Sequence, residues 1–554
     1  MLSQRLIERI SHLVGRRILR QSAQDSCGRG LRLPLLRLAG TAGLIAAFWR
    51  PGQAAAPAGS AVCPDCNIVL IGLDTLRPGN LGCYGYSKPT SPAIDGFTRH
   101  ATVFDRFILQ AYLTPISMAS ILTSEYPSNS GYTSFSSSLD TATVTLPEIL
   151  NLYGYATAAS WTSPEFFTEV AVSSNGYGAS PKRSFQRGFD FVFHPSTSTH
   201  FRDVPGPEII DWIHGNRDRK FFVWIGLGTT HWPYGRSAPA RLKKKFYSKN
   251  SDARGVSRLE VNRIVNDCYY PIPMALRPRS STAPACVPLT PDDREFLAAR
   301  YDAGVSYADE FVGRVLAALK TLRLTRKTVV VIFSVHSEEL GERGVYGHYD
   351  IHNPELRGAL IVSDPRLPHP PARAAQLVTG LDLTPTILDI AGIRPRRQAQ
   401  GRSFAEVLEG STAPVNAFAF SERIPLIESV LYDARLRPDA DKDDPFVAYL
   451  APVFDVLKDP SEDTSVQDLR WKLIHRRSGA VLSKASLRGF VAGAYASPPE
   501  YELYDLAADP LELRNVMAEN PGPAARLTAE LAKFEKSLSR RSPHGRPTQI
   551  IPYP

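Results

Sequence analysis

Three uninterrupted apolar runs of strand length stand out in the hydrophobic pattern of the chain. They are NIVLIGLD at Asn67–Asp74, FFVWIGL at Phe221–Leu227 and TVVVIFSV at Thr328–Val335. A run without polar alternation is typical of a strand that is buried on both faces of a sheet. Each run therefore predicts an interior strand.

A helical pattern lies between the second and third runs. From Arg300 to Leu322 the apolar residues step by three and four positions, as one buried helix face requires; they are Val305, Ala308, Val312, Val315 and Leu319. Alternating strands and helices predict an α/β fold, with a mostly parallel central sheet flanked by helices on both sides.

The pattern changes after residue 410. A short strand-like stretch at Trp471–His475 and the run YELYDL precede an amphipathic helix that carries Leu527, Leu531, Phe534 and Leu538. We therefore predict an α/β domain over 63–410, a smaller C-terminal α+β subdomain over 411–540 and a tail over 541–554. Within the first domain, 235–290 is rich in proline and basic residues and is interpreted as a surface insertion.

Residues 1–62 form a basic leader and linker. The net charge of the chain is +9, and the first fifty residues contain nine arginines against Glu8 and Asp25. The remainder is nearly neutral, which disfavours nucleic-acid binding. The apolar stretch Leu38–Trp49 is shorter than the roughly twenty residues that cross a bilayer and suits a secretory signal before the small residues of Ala54–Ala58. We expect export to the periplasm or outside the cell, with membrane contact only through a retained leader.

The cysteines are compatible with an oxidising compartment. Cys268 and Cys286 flank a proline-rich loop and could form a disulfide. Cys63 and Cys66 form a CxxC without a second CxxC or a nearby histidine cluster, which disfavours zinc. This pair is either a disulfide or two free thiols.

Two of the predicted strands end in side chains that can ligate a metal. Asp74 closes the first strand and His336 follows the third. Ligands gather at the carboxyl ends of strands in open α/β sheets, so both residues could face one site. From spacing alone, Asp74 could equally cap the following turn and His336 could lie in a surface loop.

The longer segments around these residues resemble the sulfatase family of the alkaline phosphatase superfamily. The similar segments occur in the family's order along about 65–540: NIVLIGLDTLRPGNLGCYGYSKPTSPAID from Asn67, RGFD from Arg187, THWPY from Thr230, YDAGVSYADEFVGRVLAAL from Tyr301, HSEELGERGVYGH from His336, GLDLTPTILDIAGI from Gly380 and YELYDLAADPLELRNV from Tyr501. The resemblance implies a sulfatase-like α/β fold.

The resemblance also implies a nucleophile activated on a divalent cation, with calcium as the expected ion. Oxygen-rich ligation suits calcium, and a bound metal acidifies the nucleophile and neutralises sulfate oxygens. The implied metal ligands are Asp74, Thr75 (where a second Asp is common) and His336. A ligating carboxylate of the family motif is replaced by Val335, which predicts weakened calcium binding.

The nucleophile position is altered as well. The family motif is Cys or Ser, any residue, Pro, Ser, Arg, and the aligned run here is Thr114-Pro115-Ile116-Ser117-Met118. With no cysteine to oxidise, no formylglycine is expected, and Thr114 becomes the candidate nucleophile. Its alternative role is to cap the start of a helix.

The remaining candidate residues lie on the substrate side of the implied site. His231 matches the family's substrate-side histidine and is a candidate catalytic residue. Arg77, Ser117, His348 and His352 are candidates for binding the substrate anion. The family lysine expected near the segment GYATAASW is absent.

Two functions follow from this mixture of kept and lost residues. The first is a metal-assisted hydrolase of sulfate or phosphate esters with a threonine nucleophile, acting on a sulfated or phosphorylated small molecule or polysaccharide. The second is a catalytically inactive sulfatase fold that binds a glycan, an anion or a protein. A phospho-group transferase is disfavoured because such enzymes normally come with several membrane spans.

Overall fold

The computed structural model of the protein describes residues 62–133, 139, 142–160, 183–193, 204–247, 261–262, 264–265, 288–348, 350–423, 463–477 and 499–538. The leader, Cys268 and Cys286, much of the 235–290 insertion and the 541–554 tail lie outside these residues. Within the described ranges, no helix is both long enough and apolar enough to cross a membrane.

A mixed sheet of nine described strands forms the centre of the molecule. The strands are β1 (Asn67–Leu73), β2 (Thr102–Ile108), β3 (Ala156–Ser160), β4 (Phe191–Phe193), β5 (Phe221–Leu227), β6 (Thr328–Ser334), β9 (Arg357–Gly358), β10 (Leu360–Ser363) and β11 (Arg373–Thr379). They run in the order β11-β2-β10-β6-β1-β5-β3-β4, with β9 paired to β2. A separate hairpin pairs β7 (Glu339–Leu340) with β8 (Tyr346–Gly347). Most pairings in the large sheet are parallel, and β9 and β10 are antiparallel to their neighbours.

The three apolar runs are the adjacent central strands of this sheet, as predicted. Every residue of β1, β5 and β6 is buried. The parallel register pairs Leu73 with both Leu227 and Ser334, so the three strands end at the same level. The residues that follow them, among them Asp74 and His336, therefore meet at one edge of the sheet. The α/β fold class is confirmed.

Helices cover the sheet. They are α1 (Pro92–Phe97), α2 (Thr114–Thr123), α3 (Pro127–Ser130), α4 (Leu146–Leu152), α5 (Glu208–Gly215), α6 (Ala240–Phe246), α7 (Pro291–Thr321), α8 (Asn353–Leu356), α9 (Leu383–Ile390) and α10 (Ala405–Leu408). Short 3₁₀ turns occur at Pro78–Asn80, Gly82–Tyr84, Thr98–His100, Arg183–Gln186, Thr325–Lys327, Gly380–Asp382 and Met517–Glu519.

Helix α7 begins nine residues before the predicted start at Arg300. Thr290 is the N-cap, and its side chain accepts a hydrogen bond from the Asp293 amide while the Asp293 carboxylate accepts one from the Thr290 amide. This reciprocal capping box, followed by Pro291 at the first helical position, is a strong start signal. The predicted start was too late because the prediction rested on the spacing of apolar residues, and the capping box consists of polar residues.

Removing this cap provides a local test of stability. Thr290→Ala is expected to lower the free energy of unfolding by about 1 kcal/mol, because the first-turn amide of Asp293 loses its acceptor. Denaturant titration would measure the change. Thr321→Ala, an exposed Thr-to-Ala change at the other end of the same helix, should stay within about 0.5 kcal/mol of the native protein. Equal effects of the two substitutions would contradict the capping argument.

The predicted C-terminal subdomain is present as a four-stranded antiparallel sheet with one helix. Its strands are β12 (Ala419–Arg423), β13 (Asp463–Gln467), β14 (Trp471–His475) and β15 (Tyr501–Asp505), and its helix is α11 (Pro521–Ser537). The predicted apolar face of α11 packs on the sheet, with Leu527, Leu531 and Phe534 in one buried cluster with residues of β13, β14 and β15. Leu538 belongs to the same cluster just beyond the helix end.

Candidate active site

Asp74 and Thr75 turn the chain away from β1 at the shared strand edge. The Asp74 amide donates to the Leu227 carbonyl at 2.8 Å, and the Thr230 hydroxyl donates to the Asp74 carbonyl. Thr75 has a left-handed backbone, with φ of 54°, which is rare and strained for a β-branched residue. Its buried Oγ1 has no hydrogen-bond partner. This turn holds the Asp74 carboxylate above the end of the sheet.

His336 lies beside Asp74 and is fully buried, so the surface-loop alternative is wrong. Its Nδ1–H donates to the Ser337 carbonyl at 2.9 Å. Because a carbonyl only accepts, a neutral imidazole in this position has its lone pair on Nε2. That Nε2 lies 3.0 Å from Asp74 Oδ1 and 3.0 Å from Thr114 Oγ1.

Thr114 is the first residue of α2, but its side chain does not cap the helix. Leu113 is the N-cap residue, without a side-chain cap. Instead, Thr114 Oγ1 lies 3.0 Å and 3.2 Å from the two Asp74 carboxylate oxygens. Burial alone would raise the pKa of Asp74, but the facing His336, with smaller effects from His231 and Thr114, lowers it below its ordinary value. Asp74 is thus an anion beside a hydroxyl and an imidazole.

His231 and His348 complete the cluster from two other loops. Their Nε2 atoms face each other at 3.2 Å, and the His348 ring lies 4.3 Å, centroid to centroid, from His336. Burial, and then the neighbouring His336 and His231, lower the pKa of His348 well below its ordinary value. His348 is therefore neutral at physiological pH. His231 is half-buried, whereas the other members of the cluster are buried.

Glu338 is a member of this region that was not among the predicted site residues. It is completely buried, its Oε1 accepts a hydrogen bond from the Tyr234 hydroxyl at 2.6 Å, and its Oε2 lies 4.0 Å from His348 Nε2. Burial raises the pKa of Glu338 well above its ordinary value. Its position two residues after His336 was the one sequence feature that pointed to this site. The sequence did not show that the Glu338 side chain turns inward.

Three predicted substrate-binding residues are engaged elsewhere. Arg77 is ion-paired with Glu342, and the Ser117 hydroxyl donates to the Val335 carbonyl. His352 is fully buried and its Nδ1 lies 2.7 Å from a Glu512 carboxylate oxygen. The structure thus brings together Asp74, Thr114, His231, His336 and His348, and it places His352 in a separate charged network.

The donor atoms around Asp74 do not fit calcium, which takes about six to eight oxygen ligands. Among the described residues, the side chains in hydrogen-bond contact with Asp74 are one hydroxyl and one imidazole, from Thr114 and His336. Val335 is fully buried in the apolar core, and its amide donates to the Leu73 carbonyl at 2.9 Å. Its isopropyl group therefore occupies core volume where the family motif has a carboxylate. Within the described part of the chain, no His, Cys, Asp and Glu side chains form a ready set of three or more metal ligands.

Comparisons with known proteins agree with this architecture. The match to mouse iduronate 2-sulfatase is 26% identical over 362 residues and covers 57% of this chain but only 63% of the mouse protein. A solved structure of a protein in complex with its substrate D-glucosamine-2-N,6-O-disulfate superposes with a TM-score of 0.60 at 18% identity, covering 87% of this chain and 100% of the other. Phosphonate monoester hydrolase of Agrobacterium radiobacter superposes with a TM-score of 0.59 at 20% identity, covering 86% and 96%.

These structural similarities establish a shared fold. The family assignment comes from the sequence, because the family model described as Sulfatase matches residues 66–393. This match spans the large sheet with Asp74, Thr114, His231, His336 and His348. The chain therefore belongs to the sulfatase family, whose members generally use a divalent metal ion.

Proposed function

We propose that this protein hydrolyses sulfate or phosphate esters with Thr114 as its nucleophile. The observation that supports this is the position of Thr114 Oγ1, 3.0 Å from His336 Nε2 and 3.0 Å from Asp74 Oδ1. A hydroxyl within hydrogen-bond distance of a base that is itself held by a third group is the arrangement of an activated nucleophile. No formylglycine is needed, because threonine supplies the attacking oxygen directly.

The reaction would proceed in two steps. As Thr114 Oγ1 attacks sulfur or phosphorus, its proton passes to His336 Nε2, a new O–S or O–P bond forms, and the bond to the leaving oxygen breaks; that oxygen takes a proton from solvent and departs as the alcohol. The Asp74 carboxylate stabilises the resulting imidazolium. Water then attacks the covalent intermediate and the imidazolium returns its proton to the Thr114 oxygen, while the proton lost by the water goes to solvent, so that sulfate or phosphate is released and the Thr114 hydroxyl and neutral His336 are restored. Because the donor atoms do not fit calcium, this scheme moves the proton through His336 alone.

A binding protein without catalytic activity is the second candidate. The observation in its favour is Val335, whose side chain belongs to the apolar core where the family motif has a carboxylate. Such a protein would retain the fold and the cluster of histidines while turning over no ester. The two candidates therefore differ in a single measurable property, which is turnover.

The substrate class and the location are proposed on separate grounds. The relatives include proteins named iduronate 2-sulfatase and choline-sulfatase, so we propose a sulfated sugar or a sulfated small molecule. Cys63 and Cys66 form a disulfide, which supports export to an oxidising compartment.

Replacing the proposed base tests this mechanism. His336→Gln is expected to lower kcat by about 10²- to 10⁴-fold, because the Thr114 hydroxyl loses its proton acceptor. Turnover of 4-nitrophenyl sulfate and 4-nitrophenyl phosphate by the full-length protein would be measured by nitrophenolate release. His214→Gln, which changes an exposed histidine on α5, serves as the matched control. No turnover of either ester or of a panel of sulfated sugars by the native protein would favour the binding protein.

A further inference from the structure

We propose a second, nitrogen-rich cation site beside the nucleophile, in which His231 Nε2, His348 Nε2 and Glu338 Oε2 bind a zinc-type divalent transition metal. This site adjoins the Asp74 and His336 pair that the family resemblance implies, with the His348 ring 4.3 Å, centroid to centroid, from His336, but its three ligands are different residues. The proposal does not rest on hydrolysis, since a protein without turnover could bind the same ion.

The hydrogen bonds of the two histidines fix where their lone pairs point. His348 Nδ1 lies 3.0 Å from the Tyr112 carbonyl, and His231 Nδ1 lies 2.8 Å from the Trp232 carbonyl. A carbonyl accepts only, so each Nδ1 carries the hydrogen, and each neutral ring has its lone pair on Nε2. The two Nε2 atoms are 3.2 Å apart. Two lone pairs at this distance repel each other unless a proton or a metal cation lies between them.

Glu338 supplies an acidic oxygen to the same place. Its Oε2 is buried, has no hydrogen-bond partner and lies 4.0 Å from His348 Nε2. A buried carboxyl oxygen without a partner is costly, and a bound cation, on displacing the carboxyl proton, would supply that partner. The other oxygen of Glu338 is held by the Tyr234 hydroxyl, which orients the carboxyl group.

The separations approach those of a tetrahedral zinc site. Zinc–nitrogen bonds of about 2.0–2.1 Å give edges of about 3.3 Å between ligand atoms. The nitrogen–nitrogen distance of 3.2 Å already matches such an edge. The nitrogen–oxygen distance of 4.0 Å between His348 and Glu338 is longer than such an edge, and within the described residues no three side chains of the ligand types already stand as a metal-binding group. An approach of Glu338 to His348 by about 0.7 Å would bring this pair to the edge length of a zinc site.

The types of donor select the metal. Two imidazoles and one carboxylate are the ligands of catalytic zinc sites, which leave a fourth position open, whereas calcium and magnesium prefer oxygen. The half-buried His231 provides the side through which the ion and a fourth ligand would enter. The carbonyls behind His231 and His348, and Tyr234 behind Glu338, supply the outer hydrogen bonds that orient metal ligands.

Zinc binding by the full-length protein tests the proposal. Chelator-treated protein would be dialysed against ZnCl₂, with bound zinc measured by elemental analysis and the melting temperature followed as zinc is added. We expect one equivalent of zinc and a rising melting temperature. His231→Ala and Glu338→Gln should each weaken the zinc Kd at least tenfold, while His214→Ala should bind like the native protein.

Other variants separate this site from its neighbours. Thr114→Val should bind zinc normally although it is expected to be inactive, so failure of the proposed hydrolysis would leave the zinc result standing. The proposal is overturned if the native protein binds no zinc, if His231→Ala and Glu338→Gln both bind it with native affinity, or if Asp74→Ala alone abolishes binding. The metal-free melting temperature of each variant shows whether it is folded. His231→Ala is the variant least expected to unfold the protein, because His231 is only half-buried.

Discussion

Replacing Thr114 with valine is expected to reduce ester hydrolysis by at least about 10³-fold, the scale at which loss of a nucleophile leaves only residual catalysis. Valine keeps the branched shape of threonine but replaces the oxygen that lies 3.0 Å from His336 Nε2. The measurement is kcat on whichever ester the native protein turns over, with the melting temperature of the variant recorded alongside.

Two further variants make the result specific to the hydroxyl of Thr114. Thr114→Ser keeps a hydroxyl at the same position and should retain activity. Thr123→Val removes a buried hydroxyl from the same helix, where it donates to the Ala119 carbonyl at 2.7 Å, and should leave kcat close to native. A Thr114→Val protein with native turnover would show that another group attacks the ester.

Replacing Glu512 with glutamine is expected to lower the free energy of unfolding by about 3–5 kcal/mol, the usual consequence of breaking a buried ion pair by removing one partner. The Glu512 carboxylate is fully buried and lies 3.1 Å from the equally buried Lys472 ammonium and 2.7 Å from His352 Nδ1. Glutamine keeps the size of the side chain but leaves Lys472 without its counter-charge. Denaturant titration of the two proteins measures the difference.

A surface pair provides the matched control. Arg514 and Glu519 form an ion pair in which both side chains are more than half exposed, and such pairs contribute about 0–1 kcal/mol. Glu519→Gln should therefore change the free energy of unfolding by less than 1 kcal/mol. If Glu512→Gln were as mild as Glu519→Gln, the buried network would have no special role in stability.

The same network predicts sensitivity to acid. Burial alone would raise the pKa of Glu512, but Lys472 and His352 outweigh it and lower the pKa from 4.5 to about 2. The Glu512 carboxyl group therefore binds its proton less tightly in the folded state than in the unfolded state. The stability that Glu512 contributes is complete above about pH 4.5 and is lost as the pH falls toward 2. Glu512→Gln should flatten this part of the stability profile.

The network also connects the C-terminal subdomain to the loop that follows His348. Lys472, on β14, donates to the Ile351 carbonyl at 2.6 Å and to Asn353 Oδ1 at 3.0 Å. The small sheet therefore stabilises a segment that begins within a few residues of the histidine cluster. This contact gives the predicted subdomain a structural role at the candidate site.

The local sequence was sufficient to predict the strands that are buried on both faces. The three apolar runs predicted β1, β5 and β6, because strands covered on both faces contain almost no polar residues. The rule that strand ends share an edge offered a common site for Asp74 and His336 as one of two alternatives, and the structure has the two side chains 3.0 Å apart. Strands β2 and β3 were not predicted, since TVFDRFI contains charges and ATAAS contains mainly small residues.

The sequence by itself determined the fold class, the family resemblance and the central strands, because hydrophobic periodicity is a property of the chain, and it offered the meeting of Asp74 with His336 as one of two alternatives. Only the tertiary structure decided that His231 meets His348 across 117 residues, that Glu338 turns inward and that His352 joins Glu512 instead. The physical reason is that the decisive partners are distant in sequence: the Tyr112 carbonyl fixes the tautomer of His348, and the Glu512 carboxylate binds His352. The spacing of nearby residues cannot predict contacts between such distant positions.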